Sequence, residues 1–179
     1  MVRNLDVLAK PSLIIILGTI QPGGTTHVGG TGKFVTTEYD VKVAQSLKGD
    51  LKPGDVVAVD LRGGQVTFED GTWARTEWLS FAFTHPTPGH TAVFFLGPLS
   101  ANEKPHPDRA DAKGQPKTVY GVTSTYYVFE LGKTVMPAAV WPNDATADCR
   151  QDSPLVIWAR CQSPDQFLAE LRDAIKRAG

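Results

Sequence analysis

The sequence lacks any long apolar run and any strong charge imbalance. Its longest apolar runs, of which 13–17 is one, are far shorter than the roughly 20 residues that a membrane-spanning helix needs, so we expect no membrane span. Lys and Arg number 18 and Asp and Glu 19, which leaves a formal net charge of -1. Because no excess positive charge is present to attract a polyanion, the composition disfavours a nucleic-acid partner.

Cysteine is also scarce, because Cys149 and Cys161 are the 2 cysteines of the chain. Two thiols are too few for a four-ligand zinc site, and this pair lacks the C-x-x-C spacing of a redox motif. Buried free thiols and one disulfide both remain open. The Asp-Ser-Pro segment between the two cysteines allows the chain to reverse, so a disulfide is geometrically plausible and would be worth about 3 kcal/mol if it is unstrained.

What the sequence does contain is a clear β pattern, strongest at 41–64. Apolar side chains at Tyr39, Val41, Val43 and Leu47 alternate with polar ones, which is the period of a half-buried strand. Gly49-Asp50 and Pro53-Gly54-Asp55 then reverse the chain, and alternation resumes over 57–61. Further strands are predicted at 12–20, 91–96, 118–131, 134–140 and 155–160.

The aromatic segment 66–83 begins with a hairpin signal. Asp70-Gly71 fits a two-residue turn, which would place Phe68 opposite Trp73. Trp73 and Trp78 are the aromatic side chains that we most expect to be exposed, as a stacking face for a sugar, peptide or base. For the aromatic segment as a whole, packing in the barrel core is favoured over such a stacking face.

Two loops and one helix complete the pattern. The glycine-rich loop 21–33 ends in Gly-Lys but fails the P-loop pattern, so we predict a hairpin loop without a nucleotide site. Residues 100–117 form a long polar loop. The helix 163–178 begins with Ser163 as cap, Pro164 in its first turn and Gln166 completing a capping box, and it carries one apolar face.

These segments resemble a group of bacterial exported domains with a small β-barrel. The resemblance rests on IIILGTI, YDVKVAQSLKGDLKPGDVVAV, GHTAVFFL and SPDQFLAELRDAI, and it spans most of residues 12–176. The group is related to the oligonucleotide/oligosaccharide-binding (OB) fold and is similar to the N-terminal domain of tissue inhibitors of metalloproteinases. The resemblance implies an OB-like fold and export, and export in turn favours the disulfide between Cys149 and Cys161. It supplies no catalytic residues, because the group has none in common.

The sequence therefore predicts a mainly β protein with one domain over 1–179. We expect a closed five-stranded OB-like barrel with extra hairpins and one C-terminal amphipathic helix. We also expect an extracytoplasmic location (periplasmic, cell-surface or secreted), with the targeting segment absent from this sequence.

Candidate site residues are few. His85 and His90 flank a Pro-rich turn, but they lack the HExxH spacing and a nearby carboxylate in sequence, so surface histidines are favoured over a metal site. No nucleophile elbow or acid–base carboxylate pair stands out, so we expect neither an enzyme nor a bound metal or cofactor.

The sequence thus favours a non-enzymatic binding or assembly module. Its expected partner is a protein or an extracellular polymer, contacted through Trp73, Trp78, His85 and His90 or through the polar loop. A protease-inhibitor-like domain is the alternative by fold analogy, and a metal-dependent enzyme that uses the two histidines is a more distant one.

Overall fold

The structure is a computed structural model that describes residues 5–29, 32–76, 87–99, 119–122, 128–133, 135–137 and 162–179. Its elements in chain order are α1 (Asp6–Ala9), β1 (Ile14–Ile20), β2 (Thr25–Val28), β3 (Val35–Lys48), β4 (Val56–Arg62), β5 (Gly64–Thr67), β6 (Trp73–Thr76), β7 (Thr91–Pro98), β8 (Val119–Val122), β9 (Val128–Leu131), β10 (Val135–Pro137) and α2 (Pro164–Ala178). The protein is mainly β, as the sequence predicts.

Five of the strands form a closed barrel. They are hydrogen-bonded in the order β1, β3, β4, β8 and β7, and β7 pairs with β1 to close the ring. The β4–β8 pair is parallel and the other pairs of the ring are antiparallel. This mixed, closed five-stranded barrel with a C-terminal helix confirms the predicted fold class and is consistent with an OB-like barrel.

The remaining strands extend the barrel wall. Strand β2 pairs with the first part of β3, β9 pairs with β7, and β10 pairs with β9, whereas β5 and β6 form a separate two-stranded sheet. Strand β2 lies inside the segment 21–33 that the sequence predicts as a loop. The predicted single strand 118–131 is represented by β8 and β9, which pair with successive parts of β7.

The barrel interior is filled by one face of each strand. Side chains such as Ile16, Val41, Val59 and Phe94 are fully buried in one apolar cluster. Alternation along β3 breaks where its register against β1 shifts, between the partners of Ile15 and Ile16 and again between those of Leu17 and Gly18. Leu47 consequently packs with the cluster outside the barrel, although its position matches Val43 in the simple two-residue period.

Helix α2 covers the outer side of β1, β7 and β9. It begins with the predicted capping box, in which the Ser163 hydroxyl accepts from the Gln166 backbone N–H and the Gln166 side chain accepts from the Ser163 backbone N–H. Phe129 of β9 is fully buried here, with its ring centroid 5.1 Å from that of Phe167 and 5.9 Å from that of Phe95. A second apolar core therefore joins the helix to the barrel wall.

The short helix α1 also belongs to this outer core. Leu8 and Ala9 are buried, and the Lys48 ammonium donates to the carbonyl oxygens of Ala9 and Ser12 at 2.9 and 2.6 Å. The Arg177 guanidinium donates to the Asp6 carboxylate at 2.6 Å, which links α2 to α1. Both chain ends of the described structure are thus tied to the same side of the barrel.

The predicted polar loop 100–117, the predicted strand 155–160 and the predicted pairing of Cys149 with Cys161 lie outside the described residues. Within the part of the chain that is described, no helix is both long and apolar enough to cross a membrane.

Candidate functional site

The hairpin β5–β6 carries Trp73, the one predicted aromatic site residue that the structure describes. Thr67 lies opposite Trp73, and Gln65 lies opposite Arg75. Because cross-strand partners share a face and faces alternate along a strand, these four side chains lie on one face of the hairpin. We call Gln65, Thr67, Trp73 and Arg75 the outward face, since all four are exposed.

The turn of this hairpin differs from the predicted one. The Phe68 backbone N–H donates to the Thr72 carbonyl, and the Gly71 N–H donates to the Phe68 carbonyl, so the loop has three residues and not two. Gly71 has φ of +82, the left-handed conformation that follows a type I turn in three-residue hairpin loops. The prediction that Phe68 faces Trp73 is therefore wrong, and the two rings lie on opposite faces.

Asp70 stabilises this loop through its side chain. Its carboxylate accepts from the Thr72 backbone N–H at 2.9 Å and from the Thr72 hydroxyl at 2.6 Å. The hydroxyl bond and then the backbone bond hold the pKa of the Asp70 carboxyl below its ordinary value. The hairpin tip is accordingly ordered and negatively charged at neutral pH.

The base of the hairpin is fixed to the barrel where the backbone of Gly63 and Gly64 lies close to the Thr37 side chain of β3. The Thr37 hydroxyl donates to the Gly63 carbonyl at 2.8 Å and lies 3.2 Å from the Thr26 hydroxyl. Gly64 has φ of +127, and a Cβ built on it would lie 2.5 Å from the Thr37 hydroxyl oxygen. On the second strand, the Val35 backbone N–H donates to the Thr76 hydroxyl.

Trp73 is 64% exposed, the highest fraction among the exposed large apolar residues of the described chain. The alternative in which this residue packs in the core is therefore wrong for Trp73. Phe68, on the other face near the tip, is 44% exposed. The indole ring of Trp73 is thus exposed to solvent on a hairpin whose two strands are hydrogen-bonded to the barrel.

His90 lies immediately before β7, and its hydrogen-bond partner belongs to β9 and not to the β5–β6 hairpin. Its Nδ1 lies 3.5 Å from Glu130 Oε2 across the β7–β9 pair, and the Thr87 backbone N–H donates to the other oxygen of Glu130. Glu130 is therefore a carboxylate partner of His90, although the two residues are far apart in sequence. No hydrogen bond or ring contact joins His90 to Trp73, both of which are described.

Trp78 and His85 lie outside the described residues, so their predicted roles stay predictions. Among the residues that the structure describes, no group of three or more His, Cys, Asp or Glu side chains is placed to hold a metal ion.

A buried polar cluster on the outer wall of the barrel is absent from the sequence-based candidates. Glu38 of β3 and Asp60 of β4 are direct cross-strand partners and are only 1% and 7% exposed. His27 Nε2 lies 3.1 Å from the Thr36 hydroxyl next to them, and His27, Glu38 and Asp60 each take part in further interactions. The cluster is therefore part of the packed structure.

The outer face of β3 and β4 is largely buried at Glu38 and Asp60, whereas the outward face of the hairpin is open to solvent.

A comparison with protein-family models finds no match to this chain, and a search of curated proteins finds no similar sequence. What the structure supports of the sequence resemblance is the closed five-stranded barrel, which is consistent with an OB-like barrel.

Proposed function

We propose that this protein is a non-enzymatic binding module whose contact element is the β5–β6 hairpin. The observation that carries the proposal is the exposure of Trp73, at 64% of its surface, on a hairpin fixed to a rigid barrel. Tryptophan has a large apolar surface that stabilises a protein when it is buried, so its display in solvent favours a role in association.

The rigidity of the base supports the same proposal. Hydrogen bonds from Thr37 to Gly63 and from Val35 to Thr76 hold both strands of the hairpin against β3. The Asp70–Thr72 bonds order its tip. Because the ring is displayed on a preorganised support, little conformational entropy is lost when a partner binds.

The experiment compares partner capture by three forms of the full chain. Immobilised wild type, Trp73→Ala and Leu13→Ala are exposed to the envelope and secreted fractions of the native source, and retained protein and carbohydrate are both quantified. Leu13 is a matched control because it is a large apolar residue, 61% exposed, that lies outside the hairpin.

We expect the wild type and Leu13→Ala to retain the same partner and Trp73→Ala to retain at most about a tenth as much. Equal retention by Trp73→Ala and wild type would overturn the proposal. Circular dichroism of each variant checks folding, which an exposed substitution should leave intact.

An extracytoplasmic location accompanies this proposal. It is supported by the sequence resemblance to exported domains, and it predicts the Cys149–Cys161 disulfide, since such bonds persist in oxidising compartments. Mass analysis of alkylated, unreduced protein from the native source should find no modified thiol, and two alkylated cysteines would contradict the proposed location.

A further inference from the structure

We infer that the partner of the β5–β6 hairpin is an uncharged polysaccharide, recognised on the outward face around Trp73. This inference rests on the proposed binding function and adds the chemical class of the ligand. It is argued from the size, composition and charge of the outward face.

The size of the outward face fits a narrow ligand. Each strand of the hairpin has four residues and so is about 13 Å long, and two strands span about 10 Å. A stable protein partner typically covers about 800 Å² on each side, several times this area. A chain of a few linked sugar rings, by contrast, matches a ribbon of these dimensions.

The composition of the face also favours a sugar. Trp73 is its one aromatic residue, and its neighbours carry a hydroxyl in Thr67, an amide in Gln65 and a guanidinium in Arg75. An aromatic platform beside hydrogen-bonding groups is suited to a sugar ring, whose apolar face stacks while its hydroxyls donate and accept.

Charge near the face argues against an acidic polymer. Arg75 shares the hairpin with Glu69 and Asp70 at its tip, and the hydrogen bonds from Thr72 lower the pKa of the Asp70 carboxyl. A neutral chain meets no repulsion from these carboxylates, whereas a polyanion would.

Affinity electrophoresis of the full chain provides the test. Native gels contain hydroxyethyl cellulose, dextran or alginate, and insoluble chitin and purified peptidoglycan are used in sedimentation assays. Wild type, Trp73→Ala, Trp73→Phe and Leu13→Ala are compared in each. Bovine serum albumin run in the same gels corrects for sieving.

We expect retardation or co-sedimentation of the wild type with at least one of the uncharged polymers (hydroxyethyl cellulose, dextran and chitin), and none with alginate. Trp73→Ala should weaken that binding about tenfold or more, Trp73→Phe should weaken it less because a smaller ring still stacks, and Leu13→Ala should leave it unchanged.

Two outcomes overturn the inference: a wild type that binds none of the uncharged polymers, and binding that Trp73→Ala leaves intact. Binding confined to alginate or to peptidoglycan, both of which carry charge, also contradicts it. These failures can be told apart from failure of the proposed function. If the wild type captures a protein and Trp73→Ala does not, the binding function stands and the sugar ligand is rejected.

Discussion

Replacing Gly64 by alanine tests how the hairpin is held on the barrel. Gly64 has φ of +127, and its added Cβ would lie 2.5 Å from the Thr37 hydroxyl oxygen and 2.8 Å from the Thr26 methyl carbon. Positive φ in a residue with a Cβ costs about 1–3 kcal/mol. Moving Thr37 away also weakens its 2.8 Å bond to the Gly63 carbonyl, which contributes about 1 kcal/mol.

The two effects together predict a loss of about 2–4 kcal/mol in the free energy of unfolding. For a chain of this size, each kcal/mol lowers the midpoint of thermal unfolding by about 2–4 °C, so Gly64→Ala should lower it by about 5–15 °C. Differential scanning calorimetry and urea unfolding of the full chain measure both quantities.

Gly71→Ala is the matched control, because Gly71 lies in the same hairpin at φ +82 and a Cβ there would meet nothing within 4 Å. It should cost about 1 kcal/mol, from the backbone conformation alone. Thr26→Ser, which removes the crowded methyl group, should recover part of the loss in the Gly64→Ala background. Equal costs at the two glycines, with no recovery, would refute the role assigned to the close approach.

Three further predictions concern stability. Phe129→Ala removes a fully buried ring between two other rings and should cost about 3–5 kcal/mol in urea unfolding; a loss below about 1 kcal/mol would contradict the second core. Ser163→Ala removes the cap of α2 and should cost about 1 kcal/mol, whereas Ser163→Asp should retain most of the stability. Burial raises the pKa of the Tyr39 phenol above its ordinary value of 10.0, so folding favours the protonated form. Stability should therefore be complete below pH 10 and fall as pH rises through the folded pKa, and Tyr39→Phe should show a smaller fall between pH 9 and pH 11.

Local signals account for most of what the sequence predicts correctly. Alternation over 57–61 identified β4, and the apolar run at 91–96 that follows a Pro- and Gly-containing turn identified β7. The cap at Ser163 and its partner Gln166 identified the start of α2, since both groups satisfy the same helix end. These features depend on neighbours in sequence, so no tertiary information was needed.

Irregular pairing explains the errors within the strands. Leu47 was assigned to the face of Val43 by counting in twos, but the register shifts against β1 place it in the outer core. Bulges depend on the partner strand, which the sequence of β3 does not contain. The short strand β2 was missed for a related reason, since its pairing with β3 is what makes Thr25–Val28 a strand.

Burial of polar side chains was the least predictable feature. The alternation correctly placed Glu38 on the polar face of β3, yet the side chain is 1% exposed. Periodicity reveals which side of the sheet a residue occupies, and it carries no information about what packs on that side. The cluster with Asp60 and His27 therefore became visible only when the strands were assembled.

The chemical character of the hairpin face that carries Trp73 depends on whether the loop has two residues or three. A two-residue turn would pair Phe68 with Trp73 and create a continuous aromatic face, which is typical of a protein interface. The observed three-residue loop pairs Thr67 with Trp73 and moves Phe68 to the other face. One ring among hydroxyl, amide and guanidinium groups is the result. We therefore propose a sugar in place of a protein partner because of the strand register, which composition alone does not determine.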